Sequence, residues 1–168
     1  GLLHCEHATG RLTVLDPNIR AALIGDPANY RARFSSWLPS VDLLKLSTDD
    51  ANWLGTEPPH WLAAGVAAVV LTQGASGLSA HTAAGVIEVG VPPVVVADTI
   101  GAGDTVQAGL LAWLHEAGML SRDGLRALDK RQWRTALEFA AAAAAWTVSR
   151  PGADPPWRRE LPGRHGDT

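Results

Sequence analysis

Cysteine is nearly absent from this chain of 168 residues; Cys5 is the only one. An internal disulfide framework is therefore excluded, and a lone thiol suits a reducing, cytoplasmic setting. Lysine is almost as scarce. Lys45 and Lys130 are the only two among 14 basic residues, and 17 acidic residues leave a formal net charge of −3. No basic block stands out, so neither a nucleic-acid surface nor a polybasic membrane anchor is expected. Long apolar runs are missing as well. Residues 140–145 come nearest, and an alanine-rich helix is their plain reading. No secretory signal peptide is visible. A Walker P-loop is absent, because neither lysine follows a glycine loop.

What is present is an alternation of strand and helix signals. Residues 11–16, 41–46 and 66–72 read as strands, the last apolar enough to be buried on both faces. Residues 78–82 and 86–89, split by Ala84 and Gly85, read as a hairpin. Asp26 and Pro27 mark a helix start, running to about residue 38. Ser47 caps a short helix through Trp53, and Pro58 opens another. Further helices are expected at about 104–118, 121–128 and 130–149. This order predicts an α/β fold, with a mostly parallel sheet between helices on both faces. Ligands bind such sheets beyond the C-terminal strand ends. Asp16, Lys45, Thr72 and Asp98 sit at or near such ends.

The most informative stretch is Asp98-Thr-Ile-Gly-Ala-Gly-Asp104. A β-rich run over residues 94–97 leads into it, and an amphipathic helix leaves it. Two glycines thus stand where a strand is expected to turn into a helix. The free N–H groups of a first helical turn, with the dipole behind them, form a ready anion site. An acid beside such a site suits phosphoryl transfer, where it can take the proton of an attacking hydroxyl. The bland reading is a glycine turn followed by an acid favoured by the dipole.

This stretch resembles the C-terminal signature of the PfkB, or ribokinase-like, carbohydrate kinases. Asp16-Pro-Asn18-x-Arg20 and Arg150-Pro-Gly-Ala-Asp154 resemble the bacterial fructokinase branch, and the likeness runs from about Arg11 to about Leu161. It implies a three-layer αβα ribokinase-like fold and ATP-dependent phosphorylation of a sugar hydroxyl, fructose being favoured. It also implies that residues 1–161 are the C-terminal part of the kinase domain, with 162–168 a loose tail; by composition the whole Pro/Gly/Arg-rich stretch after Pro151 is expected to be loose. The family's N-terminal Gly-Gly motif, most of its sugar contacts and its lid are not found here. A fragment of this kind is expected to be a poor kinase by itself. A homodimer of the full-length parent is expected through the lid.

The resemblance also assigns roles. Asp104 would be the general base, with Gly101, Ala102 and Gly103 as the anion hole. Ser47, Thr72, Gly74, Gly77, Gly103 and Ala141 would line the ATP site, Ala141 standing where ribokinases carry an Asn near adenine. Asn18, Arg20 and Lys45 would lie at the phosphate cleft. Lys45-x-Ser47-x-x-Asp50 aligns with the family's Asn-x-x-Glu segment, so Asp50 would order Mg²⁺ indirectly, through water. Asp98 falls near a monovalent-cation site, with K⁺ as the candidate ion.

Competing readings exist for several of these residues. Ser47 and Asp50 also suit helix capping, and Asp16-Pro-Asn18 an ordinary turn. Gly101-x-Gly103-x-x-Val106 mimics a dinucleotide turn of an oxidoreductase, but its third glycine is Val106 and no acid ends a following strand. A non-catalytic nucleotide-binding fragment is a third alternative. His4, Cys5 and His7 are crowded together without a second ligand pair, so a zinc site is disfavoured. Trp53, Trp113 and Trp133 are read as packing residues.

Overall fold

The computed structural model describes residues 1–161; the expected tail at 162–168 lies outside them. Five strands form one mixed sheet in sequential order: β1 (Val14–Leu15), β2 (Leu43–Ser47), β3 (Ala68–Thr72), β4 (Leu78–Thr82) and β5 (Gly85–Val89). The first three run parallel, and β4 and β5 extend them as an antiparallel hairpin. The helices are α1 (Leu2–Ala8), α2 (Pro27–Trp37), α3 (Thr48–Leu54), α4 (Pro58–Ala63), α5 (Ala102–Glu116), α6 (Arg122–Ala127) and α7 (Lys130–Val148).

Strand side chains alternate between two faces, and each face has its own core. Leu44, Leu46, Val69 and Leu71 pack with Phe34, Leu54 and Trp61 of α2, α3 and α4. Leu43, Ala68, Val70, Ala80 and Ile87 pack with Leu110, Leu114, Trp133 and Leu137 of α5 and α7. The three-layer αβα architecture follows directly. On the second face α5 and α7 lie very close, because Gly109 of α5 has no side chain where Ala140 of α7 crosses.

Helix starts follow their local signals. Asp26 caps α2 by accepting from the Asn29 N–H at 3.0 Å, with Pro27 at the first helical position. Ser47 and Asp50 form a reciprocal capping box on α3, as do Asp129 and Gln132 on α7. Trp113 and Trp133 are buried in the core, and Trp53 packs edge-on against Tyr30. The alanine-rich run forms the C-terminal part of α7, and no described helix is long and apolar enough to cross a membrane.

Three expectations need correction. Residues 94–97 do not form a strand. Pro92 and Pro93 just ahead cannot donate to a ladder, and Val95 is 87% exposed. The segment instead runs to the end of α7, where Ala97 N and Asp98 N donate to Val148 O at 2.8 and 3.2 Å. The first strand is much shorter than residues 11–16. At its start the Thr13 N–H bonds the Asp42 carboxylate (3.0 Å) and its hydroxyl bonds Ser40 O (2.7 Å), so side-chain contacts replace part of the ladder. Residues 151–161 are not loose: Arg158 pairs with Glu116 of α5 at 2.5 Å and its guanidinium lies over Phe139.

Helix α1 carries no buried residue and escapes a periodicity reading. Arg122 of α6 reaches the carbonyl of His7 (3.3 Å), and His4 bonds Ser40 (2.5 Å). Cys5 is exposed and His7 faces Asp42, so the three zinc candidates diverge. Among the described residues no trio of His, Cys, Asp or Glu is placed to hold a metal ion.

Candidate active site

The signature forms a turn and a helix start. Gly101 is the N-cap of α5 and takes the left-handed conformation (φ 78°, ψ −1°), which a side chain would oppose. Its carbonyl accepts the first ladder bond, from Thr105 N at 2.8 Å. Ala102 N turns back to Thr99 O at 3.3 Å. The N–H groups of Gly103 and Asp104 are first-turn donors with no intrahelical acceptor. Within this turn the N–H groups left without a backbone acceptor are therefore those of Gly103 and Asp104. Asp104 lies in this first turn with an exposed side chain.

Lys45 points from β2 toward the same turn. It shares the face of Leu43 and is only 4% exposed. Its ammonium lies 2.7 Å from Asp16 Oδ2, at the end of β1. A Cβ added to Gly103 would stand 2.8 Å from Lys45 Nζ, so the glycine makes room for the ammonium. A cation at the positive end of a helix dipole is unfavourable alone. The Asp16 carboxylate offsets that cost.

Beside this turn opens an apolar cavity of about 520 Å³. Thr72, Gly74, Gly77, Gly103 and Ala141, all expected at the nucleotide, line it. Val91, Pro92, Pro93, Val94 and Val96 form a wall that the sequence reading did not anticipate. The glycines there differ in purpose. Gly74 (φ 56°) has open space where a Cβ would go, whereas a Cβ on Gly77 would strike Val89 O at 2.1 Å. Gly77 is thus required by the neighbouring backbone in the hairpin.

Other expected residues are placed differently. Ser47 does not line the cavity; with Asp50 it forms the α3 cap. Both Asp50 oxygens are engaged, one by Ile19 N (3.0 Å), the other by Ser47 Oγ (2.8 Å) and Ser47 N (3.2 Å). Asn18 has φ 42° and its N–H bonds Asp16 Oδ1 at 2.9 Å. Arg20 is exposed, its guanidinium turned onto the carbonyls of Ile19 (3.1 Å) and Asn18 (3.4 Å). The structure brings Asp98 and Gly152 together: Gly152 N donates to Asp98 Oδ2 at 2.9 Å and Ile100 N to Oδ1 at 3.0 Å. Those bonds, Ile100's first, hold the Asp98 carboxyl below its ordinary range. Arg150 pairs with Asp154 (3.1 Å) and covers the ring of Trp146.

A left-handed glycine turn, an exposed acid, a buried lysine and an apolar cavity share one mouth of an αβα sandwich. Residues 2–159 match the pfkB family carbohydrate kinase profile, and the chain belongs to that family. It is 37% identical over 135 residues to a fructokinase of Rhizobium leguminosarum bv. trifolii, covering 77% of this chain and 41% of that protein. Its fold is similar to a fructokinase with bound ATP from Xylella fastidiosa (TM-score 0.76, 27% identity, 90% of this chain and 50% of that one). It is also similar to a fructokinase double mutant from Vibrio cholerae O395 in a form binding fructose, ADP and potassium ion (TM-score 0.74, 25% identity, 90% and 48%). The chain spans about half the length of these relatives, or less.

Proposed function

We propose that this chain supplies the donor side of an ATP-dependent sugar kinase of fructokinase type. The observation that carries the reading is the convergence of Gly103, Asp104 and Lys45 at the mouth of the apolar cavity. The base of ATP would lie in that cavity, against Ala141 and the valine-proline wall. The triphosphate would reach the N–H groups of Gly103 and Asp104 and the ammonium of Lys45, where preorganised dipoles hold developing charge. Asp104 would take the proton of the sugar hydroxyl. The hydroxyl oxygen then bonds to the γ-phosphorus, the bond to the bridging β-phosphate oxygen breaks, and ADP leaves with that electron pair.

Mg²⁺ belongs to the proposal as a companion of the triphosphate. Asp50 does not fit direct ligation, since its oxygens serve backbone N–H groups and Ser47; an indirect contact through water is the most it could supply. K⁺ near Asp98 is proposed because the carboxylate is kept ionised and a fructokinase relative is described with potassium. Residues 1–161 are proposed as the C-terminal part of a kinase domain, on the resemblance of residues 98–104 to the family's C-terminal signature. Homodimerisation of the full-length parent, a cytoplasmic location and the absence of nucleic-acid or membrane partners complete the reading.

A second reading is favoured by the 41% coverage of the Rhizobium protein: nucleotide binding without efficient turnover by this chain alone. One experiment separates the two. ADP release is measured with ATP and a panel of fructose, glucose, ribose and 2-keto-3-deoxygluconate, for the chain and its full-length parent. Turnover on one sugar, cut by about 10²–10⁴ in Asp104→Asn with an unchanged melting temperature, supports the kinase reading. Hydride transfer with NAD and no ADP release would sink it.

A further inference from the structure

Two hydroxyls are buried where α5 and α7 meet. Thr147 of α7 is 0% exposed, and its Oγ1 lies 3.0 Å from Thr105 Oγ1 on α5. Thr105 Oγ1 lies in turn 2.9 Å from Gly101 O, the carbonyl of the left-handed turn. The interface around them is built from alanines and Gly109. Burying hydroxyls there is unfavourable unless they are bonded, and valine would keep almost the same shape.

The proton count together with the distances favours one direction for the chain. Each threonine hydroxyl has one hydrogen to donate. Gly101 O can only accept, so the Thr105 hydroxyl donates to it. The Thr105 to Thr147 contact then needs Thr147 as donor. Its alternative acceptor, Ala143 O, is farther away, at 3.3 Å against 2.9 Å for Thr105 to Gly101. The bonds therefore run from Thr147 to Thr105 to Gly101. Because the peptide joining Gly101 to Ala102 is planar, fixing that carbonyl fixes the opposite direction of the Ala102 N–H and the start of α5. The front of the loop is held by the same stretch of chain: Val148 O accepts from Ala97 N and Asp98 N, and Gly152 N reaches Asp98. Residues 147–152 thus grip the signature at both ends.

We infer that Thr147 is a positioning residue for the phosphoryl cradle. Its hydroxyl, acting through Thr105, sets the Gly101 turn that aims the first-turn N–H groups of α5. This rests on the donor-site reading above. Thr105 alone could make an ordinary i−4 back-bond within its helix; the part played by Thr147, 42 residues away, distinguishes a cradle support from a helix detail.

The test uses Thr147→Val and Thr147→Ser in the whole chain. Amide exchange of residues 101–105 is followed by NMR, and ATP and adenosine affinities by calorimetry. In Thr147→Val, exchange at residues 101–105 should quicken, and ATP should bind about 10-fold more weakly while adenosine binds as before, as loss of one buried hydrogen bond implies. Thr147→Ser should restore both. Wild-type exchange and ATP affinity in Thr147→Val would overturn the inference. So would an equal loss of ATP and adenosine binding that follows a lowered melting temperature. If the wild-type chain binds neither ligand, the donor-site reading fails, and the exchange rates still decide whether Thr147 sets the turn.

Discussion

Lys45 Nζ stands 2.7 Å from Asp16 Oδ2, joining the middle of β2 to the C-terminal end of the parallel strand β1 beside the signature turn. The pair is deeply buried on the lysine side and only slightly open on the aspartate side. Removing one partner from a buried pair leaves an uncompensated charge, whereas removing both can be nearly neutral.

Lys45→Met should therefore lower stability by about 3 kcal/mol, read from urea unfolding. The double variant Lys45→Met/Asp16→Asn should recover most of that loss. It should still bind ATP at least about 10-fold more weakly, because a charge-assisted contact to phosphate is gone. Recovery of both stability and ATP affinity would leave Lys45 a purely structural residue.

Gly109→Ala reads in opposite directions at two levels. Helix propensity alone favours alanine by about 1 kcal/mol. The added Cβ would meet Ala140 Cα at 2.9 Å and Ala140 Cβ at 3.4 Å, on a backbone with no flexible end to yield. Overpacking costs about 1–3 kcal/mol, so net destabilisation is expected. A raised melting temperature would show that α5 and α7 can part without loss.

Asp98 carries a pH dependence with a defined sign. Its folded carboxyl is held below the ordinary value of 3.8, first by Ile100 N–H and then by Gly152 N–H. The stabilisation is thus present above that ordinary value and is lost as pH falls through the lower folded one. Amide shifts of Ile100 and Gly152 should stay constant from neutral pH down to the ordinary carboxylate range and move only below it. In Asp98→Asn the same amides should show no acid transition. A transition at or above the ordinary value would contradict the assignment.

Asp42 offers a contrast at the other end of β2. Its carboxylate is 1% exposed and accepts from Thr13 N (3.0 Å) and Arg122 Nε (3.1 Å). Asp42→Ala should cost about 3 kcal/mol, since Arg122 and Thr13 lose their partner. ATP affinity measured well below the unfolding midpoint should change by less than about twofold, as independent sites add. A large loss of ATP binding in a folded variant would tie the base of the sheet to the cradle.

Much of this architecture was legible in the residues themselves. Strand and helix order came from apolar period, and helix starts from Asp26 with Pro27 and from Ser47 with Asp50. These signals act over three or four residues, so the sequence carries them locally. The signature at residues 98–104 pointed to an anion site for the same reason: a glycine turn and a helix start are neighbours in the chain.

The rest depended on residues far apart in sequence. Valines at 94–97 look like a strand, yet a strand exists only with a partner, and here the segment walls the cavity instead. Gly77 lines the cavity as expected, but the contact of its missing side chain with Val89 O, twelve residues on, is set by the hairpin. Lys45 meets Asp16 across 29 residues, Thr105 meets Thr147 across 42, and Asp98 meets Gly152 across 54. No local rule fixes such pairs. They form because parallel strands stack in one register and α7 crosses α5 at Gly109, so packing, not propensity, decides which polar groups face one another.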